Sequence, residues 1–494
     1  MLSMRATDRG WWELETEAAP RDDYGFALDG GEPLPDPRSR WQPHGVHGLS
    51  RLVDPSSFVW TDAGWQGLEL GRAVLYELHV GTFTPEGTFD GVIGRLDSLV
   101  SLGVDAIELM PVAEASGDRG WGYDGVDLWA PRQAYGGPAG LARLVDACHA
   151  RGLGVILDVV YNHLGPEGNY LGRFGPYQSG RHRTPWGEAL NFDGPQSRPV
   201  RDFVVENAAM WLRDYHFDGL RLDAVHAIID DSPVHIVQEL TQRVHGLGGP
   251  PRLVVAEKPK LDLELLGWGV DAQWEDDFHH VLHVLLTGER QAYYAPYGRV
   301  GDLAEALLRP GRLGIAPERL LAYAQNHDQV GNRATGTRLS QLVDVGRLQL
   351  AATLTLLSPF IPMIFMGEEW GASTPFLFFS DHRDPQVARA TSEGRMHEFQ
   401  DFGWRPEEVP DPQLRSSFEA SKLDWSEPER EPHRSLLELH RSLIIRRRRL
   451  AGRGLEVAFD EAERTLTMSR GGVQVDCDFQ SGSVSVKSLS EGMN

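Results

Sequence analysis

Eight apolar runs, recurring through most of the chain with helical or irregular stretches between them, constrain this sequence more than any other feature. They fall at residues 73–80, 103–112, 152–160, 217–223, 252–257, 269–274, 320–325 and 362–367. Amphipathic stretches such as 140–150 and 200–215 lie between them. Strands alternating with helices predict a parallel sheet, and eight such units predict a (β/α)8 TIM barrel, an α/β fold. In that architecture the active site lies at the C-terminal ends of the strands. The barrel is expected over residues 72–450. Residues 1–71 are turn-rich and aromatic, with Trp11, Trp12, Trp60 and Trp65, and read as a partial N-terminal β-sandwich. Residues 451–494 alternate weakly, as in Leu466 and Met468 or Val473 and Val475, and read as a short C-terminal β segment.

Three segments read as loop excursions from the barrel, at about 164–196, 288–316 and 370–426. Long structureless segments inside a compact domain are usually functional. The apolar stretch from Leu350 to Met366 holds Pro359 and Pro362 and runs into Glu368 and Glu369. It is too short for the ~20 residues of a membrane span and reads as a buried helix followed by a buried strand.

The 494 residues carry 71 acidic and 48 basic side chains, a formal net charge of -23. That balance argues against a nucleic-acid partner, which needs a basic face. There is no Walker A pattern and no glycine-rich dinucleotide loop. Cys148 and Cys477 make neither a disulfide framework nor a CxxC metal site, so a reducing, cytoplasmic setting is expected. The charged N-terminus does not read as a signal peptide.

Four of the stretches close on polar groups. In FDGLRLDA (217–224), Leu220 and Leu222 alternate with Arg221 and Asp223, so two charges share one strand face. A structural ion pair is one reading; a carboxylate kept ionised beside a cation at a strand end is the other. DVVYNH ends on Asn162 and His163, VVAE on Glu257, and AQNHD on His327 and Asp328. In a barrel, Asp158, Asp223, Glu257 and Asp328 would converge at one mouth. Asp223 beside Arg221 suits a nucleophile. Glu257, preceded by Val254, Val255 and Ala256, suits a general acid of raised pKa. Two carboxyls in unlike environments are the equipment for glycoside cleavage. His163 and His327 can donate to sugar hydroxyls, and Tyr123 offers a face to a pyranose ring. Asp158 reads as an internal orienting group. Adjacent His279 and His280 do not share a helix face, so a solvated or supporting role is expected rather than a metal pair. The run Arg446–Arg449 reads as a solvated helix end.

Together, DVVYNH, GLRLDAVH, VVAEK and QNHDQ resemble the four short motif regions of the α-amylase superfamily of glycoside hydrolases. The segments YELHVGTFTPEGTF, RGWGYDGV, YNHLGPEGNYL, WEDDFHH, QNHDQVGNRATG, GEEWGASTPFLFFSDH and SKLDW narrow the resemblance to the maltooligosyltrehalose trehalohydrolase family. That resemblance implies hydrolysis of the α-1,4 bond next to a terminal trehalose unit. Asp223 would be the nucleophile, Glu257 the general acid/base, and Asp328 would hold sugar hydroxyls. Tyr123, Asp124, His163, Arg221, His226 and His327 would shape the pocket, and Asp276, Phe278 and His279 would serve the trehalose side. Retention of configuration implies carboxyls ~5–5.5 Å apart. The resemblance also implies pairing with a maltooligosyltrehalose synthase, and no cofactor or metal is expected, although amylases often bind calcium at the position of Asn162. An α-1,6-acting branching or debranching relative, or a glycan-binding protein on a retired barrel, are the alternatives.

Three departures from the family pattern stand out. The N-terminal β-domain reads as entered midway and the C-terminal one as cut short, which predicts open sheet edges and lost solubility. Lys258 follows Glu257 where the family has an acid or polar residue, and a lysine pointing into the cleft would lower the pKa of Glu257.

Overall fold

In the computed structural model, which describes residues 2–399, 404–450 and 454–489, the eight apolar runs form one closed sheet. Its strands are β1 (Leu75–Leu78), β2 (Ala106–Leu109), β3 (Gly154–Val159), β4 (Gly219–Leu222), β5 (Leu253–Ala256), β6 (Ala272–Trp274), β7 (Leu320–Ala322) and β8 (Ile361–Phe365). They pair in sequence order, all parallel, and β8 closes onto β1. The runs read as nearly continuous apolar sequence because barrel strands are buried on both faces.

Side chains alternate across the sheet with period two. Tyr76, Leu78, Ile107, Leu109, Leu220 and Leu222 join the main core. Leu75, Ala106, Ile156, Val255, Ala272, Leu321 and Met363 form a separate apolar cluster, joined by Leu68 and Leu70 from the segment before β1. Two residues further along the same strand faces, the barrel turns polar. Glu77 on β1 lies opposite Glu108 on β2, and Asp158 on β3 opposite Arg221 on β4.

The helices Gly137–His149, Ser197–Asp214 and Ile236–His245 connect β2 to β3, β3 to β4 and β4 to β5. Asp276–Thr287 follows β6, and Val345–Leu357 precedes β8. The apolar stretch at 350–366 is therefore the end of a buried helix and a strand, as expected. Among the described residues no helix is long and apolar enough to cross a membrane.

The excursions hold more regular structure than expected. Residues 164–196 carry a hairpin, Gln178–Thr184 with Gly187–Leu190. The segment 288–316 is only in part a loop: Val300–Arg312 is a helix whose Leu303, Ala304, Ala306 and Leu307 are buried. Gly301, Pro310 and Gly311 obscured that periodicity. Segment 370–426 includes the helix Pro385–Glu398, started by Asp384 capping the Gln386 and Val387 amides.

The described N-terminal residues pair as short two-stranded ladders, Arg5–Ala6 with Trp12–Glu13, Asp23–Tyr24 with Ser50–Arg51, and Phe26–Ala27 with Pro33–Leu34. At the other end, β9 (Leu455–Asp460), β10 (Thr465–Arg470), β11 (Val473–Asp478) and β12 (Ser483–Ser488) form an antiparallel meander. Leu466, Met468, Val475 and Cys477 face inward and are buried. The arginine run is not simply a solvated helix end. Arg447 is buried and donates to the carbonyls of Leu356, Ser358 and Phe360, and Arg470 of β10 also reaches Ser358. These arginines satisfy carbonyls at the end of the helix Val345–Leu357 and in the turn from it into β8. Cys148 and Cys477 are both buried and free.

Candidate active site

The polar layer inside the barrel opens at the C-terminal ends of the strands, and Arg221 is its centre. This guanidinium, 2% exposed, donates to Asp158 Oδ2 at 2.8 Å and to Asp223 Oδ1 at 2.7 Å. Its second amino group lies 3.7 Å from Glu257 Oε2. Its underside rests on the Trp274 ring, 4.2 Å from the centroid, a cation–π contact in a desolvated place. The strand register produces this grouping. Arg221 points inward from β4, and Asp223 and Glu257 lie one residue beyond β4 and β5.

Asp223 is held from two directions. Besides Arg221, it accepts from Asn162 Nδ2 at 2.7 Å, and the same amide donates to the Asp223 carbonyl at 2.9 Å. The Asn162 oxygen meets Nδ1 of His163, whose Nε2 reaches the Tyr123 carbonyl at 3.0 Å. The next residue, Ala224, sits in the left-handed region at φ 40°. That conformation costs an alanine about 1–2 kcal/mol. It aims the Ala224 N–H at Glu257 Oε2, 2.6 Å away.

Burial pushes the Glu257 carboxyl up to about 8; Arg221 opposes this, and Asp223, Asp276 and Asp328 add to it. The balance favours the protonated form of Glu257. Lys258 does not enter this balance. Its ammonium bonds to Asp262, four residues on, and its carbonyl accepts from Gln273 Nε2 at 3.2 Å. The lowering expected from a lysine in the cleft is not found.

A second line of hydrogen bonds supports the first. Glu77 accepts from the backbone N–H of His327 at 2.8 Å and meets its Nδ1 at 2.6 Å. His327 Nε2 lies 2.7 Å from Tyr123 Oη, which donates to Asp158 Oδ2 at 2.6 Å. The Tyr123 and His327 rings are stacked. Burial alone would lower the His327 pKa, but Glu77 and Asp328 raise it overall. Burial pushes Asp158 up to about 6 against the pull of Arg221. Gly122 makes the turn into Tyr123: its φ is +105°, and a Cβ there would lie 2.2 Å from the Pro111 carbonyl oxygen.

Asp328 opens the short helix His327–Gly331, is bonded by Asn332, and burial raises its pKa. Asp276 opens the helix after β6 and accepts from Tyr323 Oη; burial pushes it up to about 6. His226 is exposed on the turn after Asp223, and burial lowers its pKa against Asp223. Asp124 lies at the rim, 3.7 Å from His382 Nε2.

Two expected binding residues do not reach the cleft. Phe278 is fully buried against Phe360, because its position on the helix Asp276–Thr287 points into the core. His279 is 1% exposed, with Nδ1 on the Ala324 carbonyl and Nε2 on Tyr294 Oη. His280 is likewise buried rather than solvated, packed against Tyr293 and Tyr297.

The structure adds Glu77 and Trp274 to the residues singled out from sequence, and gives the strand-end amide of Asn162 its part in holding Asp223. It also brings Trp186, at the tip of the hairpin in 164–196, into a stack on His163 with centroids 5.1 Å apart. Glu77 and Asn162 had a visible signal, a carboxylate or amide in or directly after an apolar strand. Trp186 had none, since its partner is distant in sequence.

Comparison with known proteins places this geometry. The family model "Alpha amylase, catalytic domain" matches residues 52–183. The chain is 50% identical to the malto-oligosyltrehalose trehalohydrolase of Rhizobium sp. (strain M-11), over 97% of this chain and 86% of that one. It is 49% identical to the protein of the same name from Arthrobacter ramosus, over 98% of this chain and 90% of that one. A solved alpha-amylase-type structure from Salmonella typhimurium matches with a TM-score of 0.87 at 38% identity, covering 96% of this chain and 86% of that one.

Proposed function

This chain belongs to the malto-oligosyltrehalose trehalohydrolase family of α-amylase-type glycosidases, and from that premise we propose that it hydrolyses maltooligosyltrehalose. It cleaves the α-1,4 bond adjacent to the terminal trehalose unit and releases trehalose and a shorter maltooligosaccharide. The observation that carries the reading is the unlike pair around Arg221. Asp223 is a carboxylate fixed by Arg221 and Asn162, and Glu257 is a carboxyl pushed up to about 8.

In the reaction, the Glu257 proton passes to the glycosidic oxygen as the bond to the anomeric carbon breaks. The Asp223 carboxylate attacks that carbon and forms a glycosyl ester, and trehalose leaves. Glu257, now ionised, takes a proton from water, which displaces Asp223 with a second inversion. Configuration is retained. Asp328 and His327 hold ring hydroxyls, and Tyr123 and His163 line the ring that is attacked. Asp276 lies beside Asp328 and Glu257 and serves the leaving trehalose. Arg221 and Asp158 position the nucleophile. His226 and Asp124 border the cleft.

The near-full-length likeness to trehalohydrolases disfavours an α-1,6-acting relative. Retention of Asp223, Glu257 and Asp328 argues against a glycan binder without catalysis. The enzyme works in the cytoplasm beside a maltooligosyltrehalose synthase, which supplies its substrate. Incubation with maltotriosyltrehalose and, separately, maltopentaose tests the reading. Free trehalose from the first, with little cleavage of the second, is expected; equal attack on both would make the protein a general α-1,4 amylase.

A further inference from the structure

At the opposite end of the barrel lies a recess of about 360 Å³, walled by the segment before β1 and by the turns leading into β3, β4 and β5. That volume falls within the ~300–1,000 Å³ of small-molecule sites. Asp62, Trp65, His216, Arg213 and Arg252 bring polar and aromatic groups to it, and Leu212, Leu247 and Pro250 bring apolar surface. None of these groups takes part in the catalytic network.

Arg252 is the anomaly. Its side chain is 9% exposed, yet it makes no hydrogen bond among the described residues. Its one ion pair there is long, 3.8 Å to Asp218 Oδ1. Its Nη1 is buried with no hydrogen-bond partner among the described residues, and leaving those N–H donors unmet in a desolvated place is costly. The other polar groups are better supplied. Asp218 Oδ1 accepts from Trp65 Nε1 at 2.6 Å. Asp62 Oδ2 meets Nδ1 of both His149 and His216 at 2.8 Å. Arg213 is held by Asp214.

We propose that this recess is a second, non-catalytic site that binds a neutral saccharide. The charges decide the class. Each cation at the recess has a carboxylate beside it, so an anion gains little here and meets Asp62. A polyol can accept from Arg252, donate to Asp62, and set its C–H surface against the Trp65 indole. The segment carrying Asp62 and Trp65 also supplies Leu68 and Leu70 to the barrel floor. Occupancy would therefore brace the floor of the barrel.

The test is calorimetric titration of the full-length wild-type protein with trehalose. The choice of trehalose as probe rests on the proposed function; the argument for a saccharide does not. Two classes of site are expected. Arg252→Met should weaken one class at least tenfold and leave the rate on maltotriosyltrehalose within twofold of wild type. Gly248→Trp is the independent variant, since a Cβ at Gly248 meets nothing within 4 Å and the ring fills the recess with Arg252 in place. It should abolish the same class. A single class of sites in wild type, unmoved by either variant, overturns the proposal. So does binding of inorganic phosphate, but not trehalose, that depends on Arg252. Arg252-dependent trehalose binding without turnover of maltotriosyltrehalose would keep this site and fail the catalytic reading instead.

Discussion

Two layers of the barrel interior, two residues apart on the same strands, are built on opposite principles. The lower layer is Leu75, Ala106, Ile156 and Val255, an apolar plug that closes the barrel. The upper layer is Glu77, Glu108, Asp158, Arg221 and Glu257, where carboxyls crowd around one buried guanidinium. Burial on the lower layer stabilises its larger side chains, Leu75, Ile156 and Val255, by about 1.5–3 kcal/mol each. Burial on the upper layer is unfavourable to every charge, and what it yields is unlike protonation states within one network. The plug also keeps water from the underside of the upper layer, so the two depend on each other.

The comparison breaks most sharply at the nucleophile. Asp223→Asn should lower kcat by about 10⁴-fold or more. The unfolding midpoint should stay near wild type, because the amide oxygen of the variant can still accept from Arg221. Glu257→Gln should cost about 10²–10⁴-fold. Its pH profile is the sharper readout. In wild type, kcat/KM should fall above about pH 8 as Glu257 loses its proton, tenfold per unit. That alkaline limb should disappear in Glu257→Gln. An alkaline limb unchanged in the variant would assign the proton to another group.

Stability separates the layers next. Arg221→Met leaves Asp158 and Asp223 without their cation and should cost about 3–5 kcal/mol in urea unfolding, along with activity. Ile156→Ala, directly below, should cost about 2–5 kcal/mol and leave kcat within a few fold. Equal losses of activity in both would mean that the layers are not separable. Glu108→Gln should be milder, within about 1 kcal/mol at neutral pH. Among the described residues both Glu108 oxygens lack a hydrogen-bond partner, and burial raises its pKa well above the ordinary range. The folded protein thus keeps a proton that the unfolded chain loses. Wild-type stability should therefore decline as pH rises above the ordinary carboxylate range, and Glu108→Gln should remove part of that slope.

Both layers were partly legible in the sequence. The strands were visible because burial on both faces gives apolar runs, and the run FDGLRLDA showed its alternation directly. Arg221 and Asp223, two residues apart, had to share a face. What no period could show was closure. That β8 pairs with β1 brings Glu77 beside His327, and only then does the line from Glu77 to Asp158 exist. The helix Val300–Arg312 was hidden by its glycines and proline. Phe278 and His279 were assigned to the trehalose side by likeness of the surrounding motif, whereas the helix phase turns them inward.

Lys258 is the smallest of these tests and the most direct on how far sequence adjacency can be carried into chemistry. A lysine next to the general acid promised a field that would ionise it. In the folded chain, residues on either side of a strand end point in different directions, and the ammonium of Lys258 is spent on Asp262, which also caps the helix Leu263–Gly267. Glu257 keeps its proton because burial and the neighbouring carboxyls outweigh Arg221. Lys258→Gln should therefore change kcat/KM less than about twofold, leave the alkaline limb in place, and lower stability by no more than the ~0.2–1 kcal/mol of a partly exposed pair. A shift of the alkaline limb of kcat/KM toward higher pH in that variant would mean that Lys258 favours the ionised form of Glu257 in the free enzyme despite its pairing with Asp262.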